Sequence, residues 1–290
     1  MHLHRPGLLR TMTKNAPPFD QLVFSGGGLR CMWQGGFLDV VRDEIGLEPK
    51  RITGVSGGAL SACCFIVRRA PEMRDRMCDA FDTNEANVAW DSFDEDGVTP
   101  HQRIYRKCVQ DVLDTDAQQQ IADGPPFHIL IGHPPLSELP KLSGTAATLA
   151  YEAELHTVAS PHFKWPEKIG LDSTRVDARG AAREGRLVDL ITAAAVIPPV
   201  FEPPLWDGRP VIDGGMVDQA PMPEPDEGST MILLTRHYRG LNPVPGRTYL
   251  EPSEPCPVDK IDFTDPDKLR ETWSCGEADG RSYLETLNLT

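Results

Sequence analysis

Apolar positions along the chain fall into two periods. Gln21-Leu22-Val23-Phe24 is a short β-forming run that stops at Ser25-Gly26-Gly27-Gly28, and from about Trp33 to Ile45 the positions Phe37, Leu38, Val41 and Ile45 recur at helical spacing. This predicts strand, glycine loop, helix. The unit repeats at once: Arg51-Ile52-Thr53-Gly54-Val55 reads as a strand, and Ser56-Gly57-Gly58-Ala59-Leu60 opens a small-residue helix running to Ala70 and closed by Pro71. Phe127 to Ile131, Val211-Ile212 and Met231 to Leu234 are continuous apolar runs of the kind buried on both faces of a parallel sheet. Strands separated by helical segments predict a doubly wound α/β layer. Residues 72–120 are charged with scattered apolar positions such as Phe81, Trp90, Ile104 and Val112, which predicts helices and loops laid over the sheet as an inserted cap or connection. The proline-rich stretch 240–260 reads as loop, and Pro266 to Trp273 and Glu277 to Leu287 read as two closing helices around Gly276. No internal repeat and no clean boundary appears, so residues 19–290 are expected to form one domain behind a flexible lead-in, 1–18.

Composition narrows the class. With 40% hydrophobic and 25% charged residues in 290, coiled-coil, collagen-like and wholly disordered chains are excluded. Lys plus Arg number 29 against 43 Asp plus Glu, a net charge of −14 that repels phosphate backbones, so no nucleic-acid partner is expected. There is no apolar run of transmembrane length and no signal-like h-region, and seven cysteines without a CxxC spacing suggest neither a disulfide framework nor a zinc site. The expectation is a cytoplasmic protein without metal or other cofactor.

Three short motifs carry candidate chemistry. Gly54-Val55-Ser56-Gly57-Gly58 is G-x-S-x-G between a strand and a helix, the setting in which a serine stands on a sharp turn with its hydroxyl exposed, although a serine merely capping a helix would look the same. Ser25-Gly26-Gly27-Gly28-Leu29-Arg30 offers unhindered backbone N–H groups before a helix, an anion-binding nest for a phosphate or an oxyanion. The dinucleotide version wants a third glycine where Cys31 stands, which weakens the phosphate reading. Ile212-Asp213-Gly214-Gly215 puts a carboxylate directly after a short strand, where parallel sheets place their sites, or forms a plain Asp-Gly turn. Eight histidines offer no recognisable base for Ser56: His2 and His4 sit in the lead-in, His128 lies in a buried-strand pattern, His101 adjoins the cap, and His133, His156, His162 and His237 follow no triad order. An α/β-hydrolase triad also fails on topology, since Ser56 follows only about two strands.

Taken together, GGGLR, GVSGG and DGG, in this order, resemble the patatin-like phospholipase family, and Ala193 to Pro203 is similar to the small-residue, proline and phenylalanine segment that leads to that family's catalytic aspartate. The tail from Leu250 to Leu287 is similar to that of bacterial members. The likeness covers residues 19–287, with two departures: Cys31 where the family usually closes its loop with glycine, and Gln219-Ala220-Pro221 where Asn-x-Pro is common. The resemblance implies a three-layer α/β/α fold with a mostly parallel central sheet, and a serine lipid acyl hydrolase of the phospholipase A or esterase type. It implies Ser56 as nucleophile, Asp213 as general base and Gly26, Gly27 and Gly28 as oxyanion donors, with Arg30, Gly54, Gly57, Gly58, Gly214 and Gly215 in support. The expected partner is a lipid or phospholipid ester met at a transient membrane or micelle interface. The alternative is a patatin-like binding or regulatory protein that has lost its chemistry, and a nucleotide-binding α/β protein stands third.

Overall fold

A computed structural model describes residues 19–84, 100–135, 160–163, 166–198 and 203–288. Among these the chain runs β1 (Gln21–Phe24), a 3-10 turn (Gly28–Cys31), α1 (Met32–Glu44), β2 (Arg51–Val55), α2 (Gly57–Val67), α3 (Ala70–Asp82), α4 (Pro100–Val112), α5 (Thr115–Asp123) and β3 (Phe127–His133). It continues with β4 (Asp172–Asp177), α6 (Ala178–Arg183), α7 (Leu187–Ala194), β5 (Leu205–Trp206), β6 (Arg209–Pro210), β7 (Ile212–Asp213), β8 (Thr230–Leu233), β9 (Arg247–Leu250) and α8 (Pro266–Asn288). The lead-in 1–18 and part of the 72–120 segment lie outside the described residues.

The central sheet has the order β4-β3-β2-β1-β8-β9, with β7 also on β3. β1, β2, β3, β8 and β9 are mutually parallel, while β4 and β7 run antiparallel to β3. Successive side chains alternate between faces. Leu22, Phe24, Ile52, Phe127, Ile129, Met231 and Leu233 point into the main core, shared with residues of each of the described helices, including Met73 and Met77 of α3 and Val109 and Val112 of α4. On the other face Val23, Ile232 and Leu234 meet Ala220 and Tyr238. Polar residues of that face find partners: Gln21 donates to the Pro225 carbonyl, and the Thr53 hydroxyl to that of Pro221.

Four expectations are corrected. Pro71 does not close the preceding helix. α2 already stops at Val67, where Arg68 turns left-handed (φ 57°), and Pro71 sits in the first turn of α3, whose N–H groups need no helical acceptor. The proline-rich stretch is not all loop, because Arg247–Leu250 pairs with β8 as an edge strand, the position where half-buried, proline-flanked strands are tolerated. Gly276 breaks nothing. It lies inside one helix, α8, because a Cβ there would meet the Trp33 carbonyl at 2.2 Å, so the glycine serves the close crossing of α8 over α1. Val211-Ile212 is not a further parallel strand: β7 is two residues long and antiparallel.

Candidate active site

β2 delivers Ser56 to a sharp turn. Its backbone takes φ 54°, ψ −137°, a conformation that a residue with a side chain holds only when its surroundings demand it. The surroundings are tight. A Cβ at Gly58 would lie 2.3 Å from the Ser25 carbonyl, and one at Gly54 would lie 2.8 Å from Ala59 Cα, so both glycines let α2 start directly against the ends of β1 and β2. Ser56 is buried, with 4% of its surface exposed.

Sheet register brings the carboxylate to it. β2 pairs with β3 from Ile52–Phe127 to Val55–Leu130, while β4 occupies the other side of β3 from His128 to His133. β7, which pairs Asp213 with Ile131, therefore continues on the β2 side just past Val55, where the chain has turned away at Ser56. The Ser56 hydroxyl donates to Asp213 Oδ2 at 2.5 Å. The other oxygen, Oδ1, accepts the Gly215 N–H at 2.7 Å, and the Asp213 N–H donates to the Val196 carbonyl at 2.7 Å. A Cβ at Gly214 would sit 2.3 Å from the Leu130 carbonyl, so the turn after Asp213 lies flat on β3 only with glycine. Burial pushes the Asp213 carboxyl up to about 6, against the Ser56 and Gly215 hydrogen bonds and the Lys260 charge, which favour the anion.

The glycine loop runs beside this pair and does not offer all three expected donors. The Gly26 N–H is committed to the Gln219 carbonyl at 2.9 Å, which removes it from the anion nest. The N–H groups of Gly27 and Gly28 have no acceptor among the described residues, and position 28, at φ +58°, admits only glycine, since a Cβ would lie 2.3 Å from the Lys260 carbonyl. Arg30 points away from the nest: its Nε donates to the Val258 carbonyl at 3.4 Å and its guanidinium approaches Asp259 at 3.9 Å, bracing the 258–260 segment against the loop. Cys31 is buried, its thiol directed at the Ser25 carbonyl at 3.6 Å and 3.1 Å from where a Gly57 Cβ would be. The side chain that replaces the family's glycine thus packs behind the turn.

Two positioning residues escaped the sequence reading. Gln219 appeared there only as a departure from Asn-x-Pro, yet its side chain donates to the Gly215 carbonyl at 2.8 Å while its own carbonyl holds Gly26, tying the aspartate turn to the glycine loop. Gln34 donates to the carbonyls of Ser25 and Leu233, both at 3.0 Å, and anchors the loop to β8. Its place two turns after the glycines was the available signal. Among the described residues no histidine bonds Ser56: His133 is held between Pro210 and Thr174, and His162 pairs with Asp218. Among the described residues no three His, Cys, Asp or Glu side chains gather as metal ligands would, and no helix is long and apolar enough to cross a membrane.

Ser56, Gly57 and Gly28 line a cleft. Leu60 and Cys64 of α2, Met32 of α1, Met73 and Met77 of α3 and Phe263 make most of its wall apolar. Such a hydroxyl-carboxylate pair under backbone donors, opening on an apolar cleft, can activate an alcohol against the carbonyl of an apolar ester. The family model for patatin-like phospholipase matches residues 22–226. The chain belongs to that family. A search of curated proteins returns no match. Among solved structures, the patatin-like chain is similar to VipD from Legionella pneumophila, at 12% identity and a TM-score of 0.53 over 94% of this chain and 68% of that one, a likeness of fold alone. The fold is the three-layer α/β/α patatin fold with its mostly parallel sheet, and the family is one of lipid acyl hydrolases. Of the segment 193–203 that carried part of the resemblance, residues 199–202 lie outside the described residues.

Proposed function

We propose that this protein hydrolyses carboxylic esters of lipids through an acyl-enzyme, with Ser56 as nucleophile and Asp213 as the base that serves it. The supporting observation is the 2.5 Å hydrogen bond from the Ser56 hydroxyl to a buried carboxylate whose pKa is raised to about 6. An ordinary aspartate is too weak a base for an alcohol, whereas one near 6 is stronger and still ionised at neutral pH. As Ser56 Oγ bonds to the acyl carbon, its proton passes to Asp213 and the carbonyl oxygen becomes an oxyanion held by the Gly27 and Gly28 N–H groups and the N-terminus of α2. The ester C–O bond then breaks and the proton leaves with the alcohol. Water, deprotonated by the same carboxylate, releases the acid.

Substrate chemistry follows the cleft. Its apolar wall suits an acyl chain, and at its mouth Lys260 adjoins Ile261, which is 39% exposed, an apolar and basic rim that suits brief contact with a lipid surface despite the net charge of −14. The test is hydrolysis of p-nitrophenyl esters and phospholipid vesicles, together with fluorophosphonate labelling, in wild type, Ser56→Ala and Asp213→Asn. Labelling and turnover in wild type, both lost in Ser56→Ala, support the proposal; retained turnover in either folded variant overturns the pair. A folded wild type that binds lipid but neither labels nor turns over would be the binding protein instead.

A further inference from the structure

One group in the cleft is used neither by the fold nor by the chemistry above. Tyr105, on α4, lines the same cavity as Ser56, is 9% exposed, and its buried phenolic oxygen has no hydrogen-bond partner among the described residues. A buried donor left unsatisfied destabilises a protein, and phenylalanine would fill the same apolar space without that penalty. The phenol also stays protonated: burial, with the Cys31, Cys63 and Asp213 groups near enough to add to it, raises its pKa well above the ordinary value, so it can donate a hydrogen bond and cannot act as a base.

An ester brings two oxygens into this cleft. The carbonyl oxygen is met by the Gly27 and Gly28 N–H groups, and the acyl chain beyond it is hydrocarbon, so the oxygen left over is the one on the alcohol side of the scissile bond. Resting on the hydrolase reading, we propose that Tyr105 is a further catalytic residue whose O–H donates a hydrogen bond to the ester's alkoxy oxygen. As the bond between acyl carbon and alkoxy oxygen breaks, the electron pair moves onto that oxygen, Tyr105 stabilises the growing charge without giving up its proton, and the proton that Asp213 took from Ser56 completes the alcohol. An aromatic alcohol that leaves readily gains little from this donor, and an alkyl alcohol such as glycerol gains much.

The test compares wild type and Tyr105→Phe on butyrate esters of one acyl chain and different alcohols, p-nitrophenyl butyrate against glyceryl monobutyrate and ethyl butyrate, reading kcat/KM. Thermal denaturation and the rate of fluorophosphonate labelling serve as controls for the fold and for Ser56. The expected result is p-nitrophenyl butyrate within about twofold of wild type, the alkyl esters down about five- to tenfold, labelling unchanged, and Tm equal or higher. Equal losses on all esters, or none, with labelling intact would overturn the role of Tyr105 while leaving the hydrolase reading standing. A lower Tm with slowed labelling would show the hydroxyl to be structural and also overturn it. A wild type that neither labels nor hydrolyses any ester would overturn the hydrolase reading, and this proposal with it.

Discussion

Replacing Asp213 with asparagine should abolish turnover and at the same time relieve a cost that the wild-type fold carries. Burial holds the carboxyl at about 6 against its ordinary 3.8. At about 1.36 kcal/mol per pH unit that gap corresponds to about 3 kcal/mol. Its direction is the reverse of the usual carboxylate case. Between the two pKa values the native protein keeps a proton that the unfolded chain gives up, so the wild type is most stable below the ordinary pKa, loses stability as pH rises through the window, and carries the full cost above about pH 6. Asparagine has no charge to bury, and its amide can still accept from Gly215 and donate to Ser56. The assay is urea denaturation of both proteins followed by circular dichroism across pH, with matching m-values as the check on two-state behaviour. The advantage of Asp213→Asn over wild type is expected to grow by about 2 kcal/mol between about pH 4.5 and about pH 7.5. A difference that stayed flat or shrank with rising pH would refute the reasoning. It would mean that the Ser56 and Gly215 hydrogen bonds, with Lys260, outweigh the desolvation of the carboxylate.

Turnover should follow the same group: kcat/KM for a neutral ester falls about tenfold per pH unit below about 6, whereas an unperturbed aspartate would sustain it to near pH 4, and a pH-rate profile separates the two. Gly214→Ala should inactivate, because its Cβ would strike the Leu130 carbonyl and lift Asp213 off β3; an esterase assay and a loss of about 1–3 kcal/mol in denaturation check this. Gly276→Ala, at the crossing of α8 over α1, should cost about 1–3 kcal/mol and lower Tm while activity per folded molecule persists. Gln219→Ala removes the side-chain bond to Gly215 but keeps the backbone bond to Gly26, so it should cost about 1 kcal/mol and reduce kcat/KM without inactivating, as steady-state kinetics would reveal.

How much of this was legible in the chain depends on the range of each interaction. β1, α1, β2 and the start of α2 were readable to within a residue or two, since their apolar spacing and glycine punctuation are local. β4 (DSTRVD) was missed because an edge strand that is only half-buried needs no apolar signature; its place is set by pairing with β3. β9 was hidden among prolines for the same reason, and Gly276 was misread because a glycine that breaks a helix and one that admits a neighbouring helix are identical in sequence.

Within the site, the sequence by itself determined the chemical types and their order: a serine on a strand-to-helix turn, a glycine run ahead of it and an aspartate held by two glycines. Only the tertiary structure decided what each can do. Ser56 and Asp213 stand 157 residues apart, and their contact exists because β7 continues the line of β2 along β3, a fact of sheet register. The raised pKa of Asp213, the commitment of Gly26 to Gln219 and the burial of the Tyr105 hydroxyl without a partner among the described residues arise the same way, from desolvation and contacts supplied by distant segments. Local sequence sets backbone preferences, whereas pKa values and free donors belong to the packed interior.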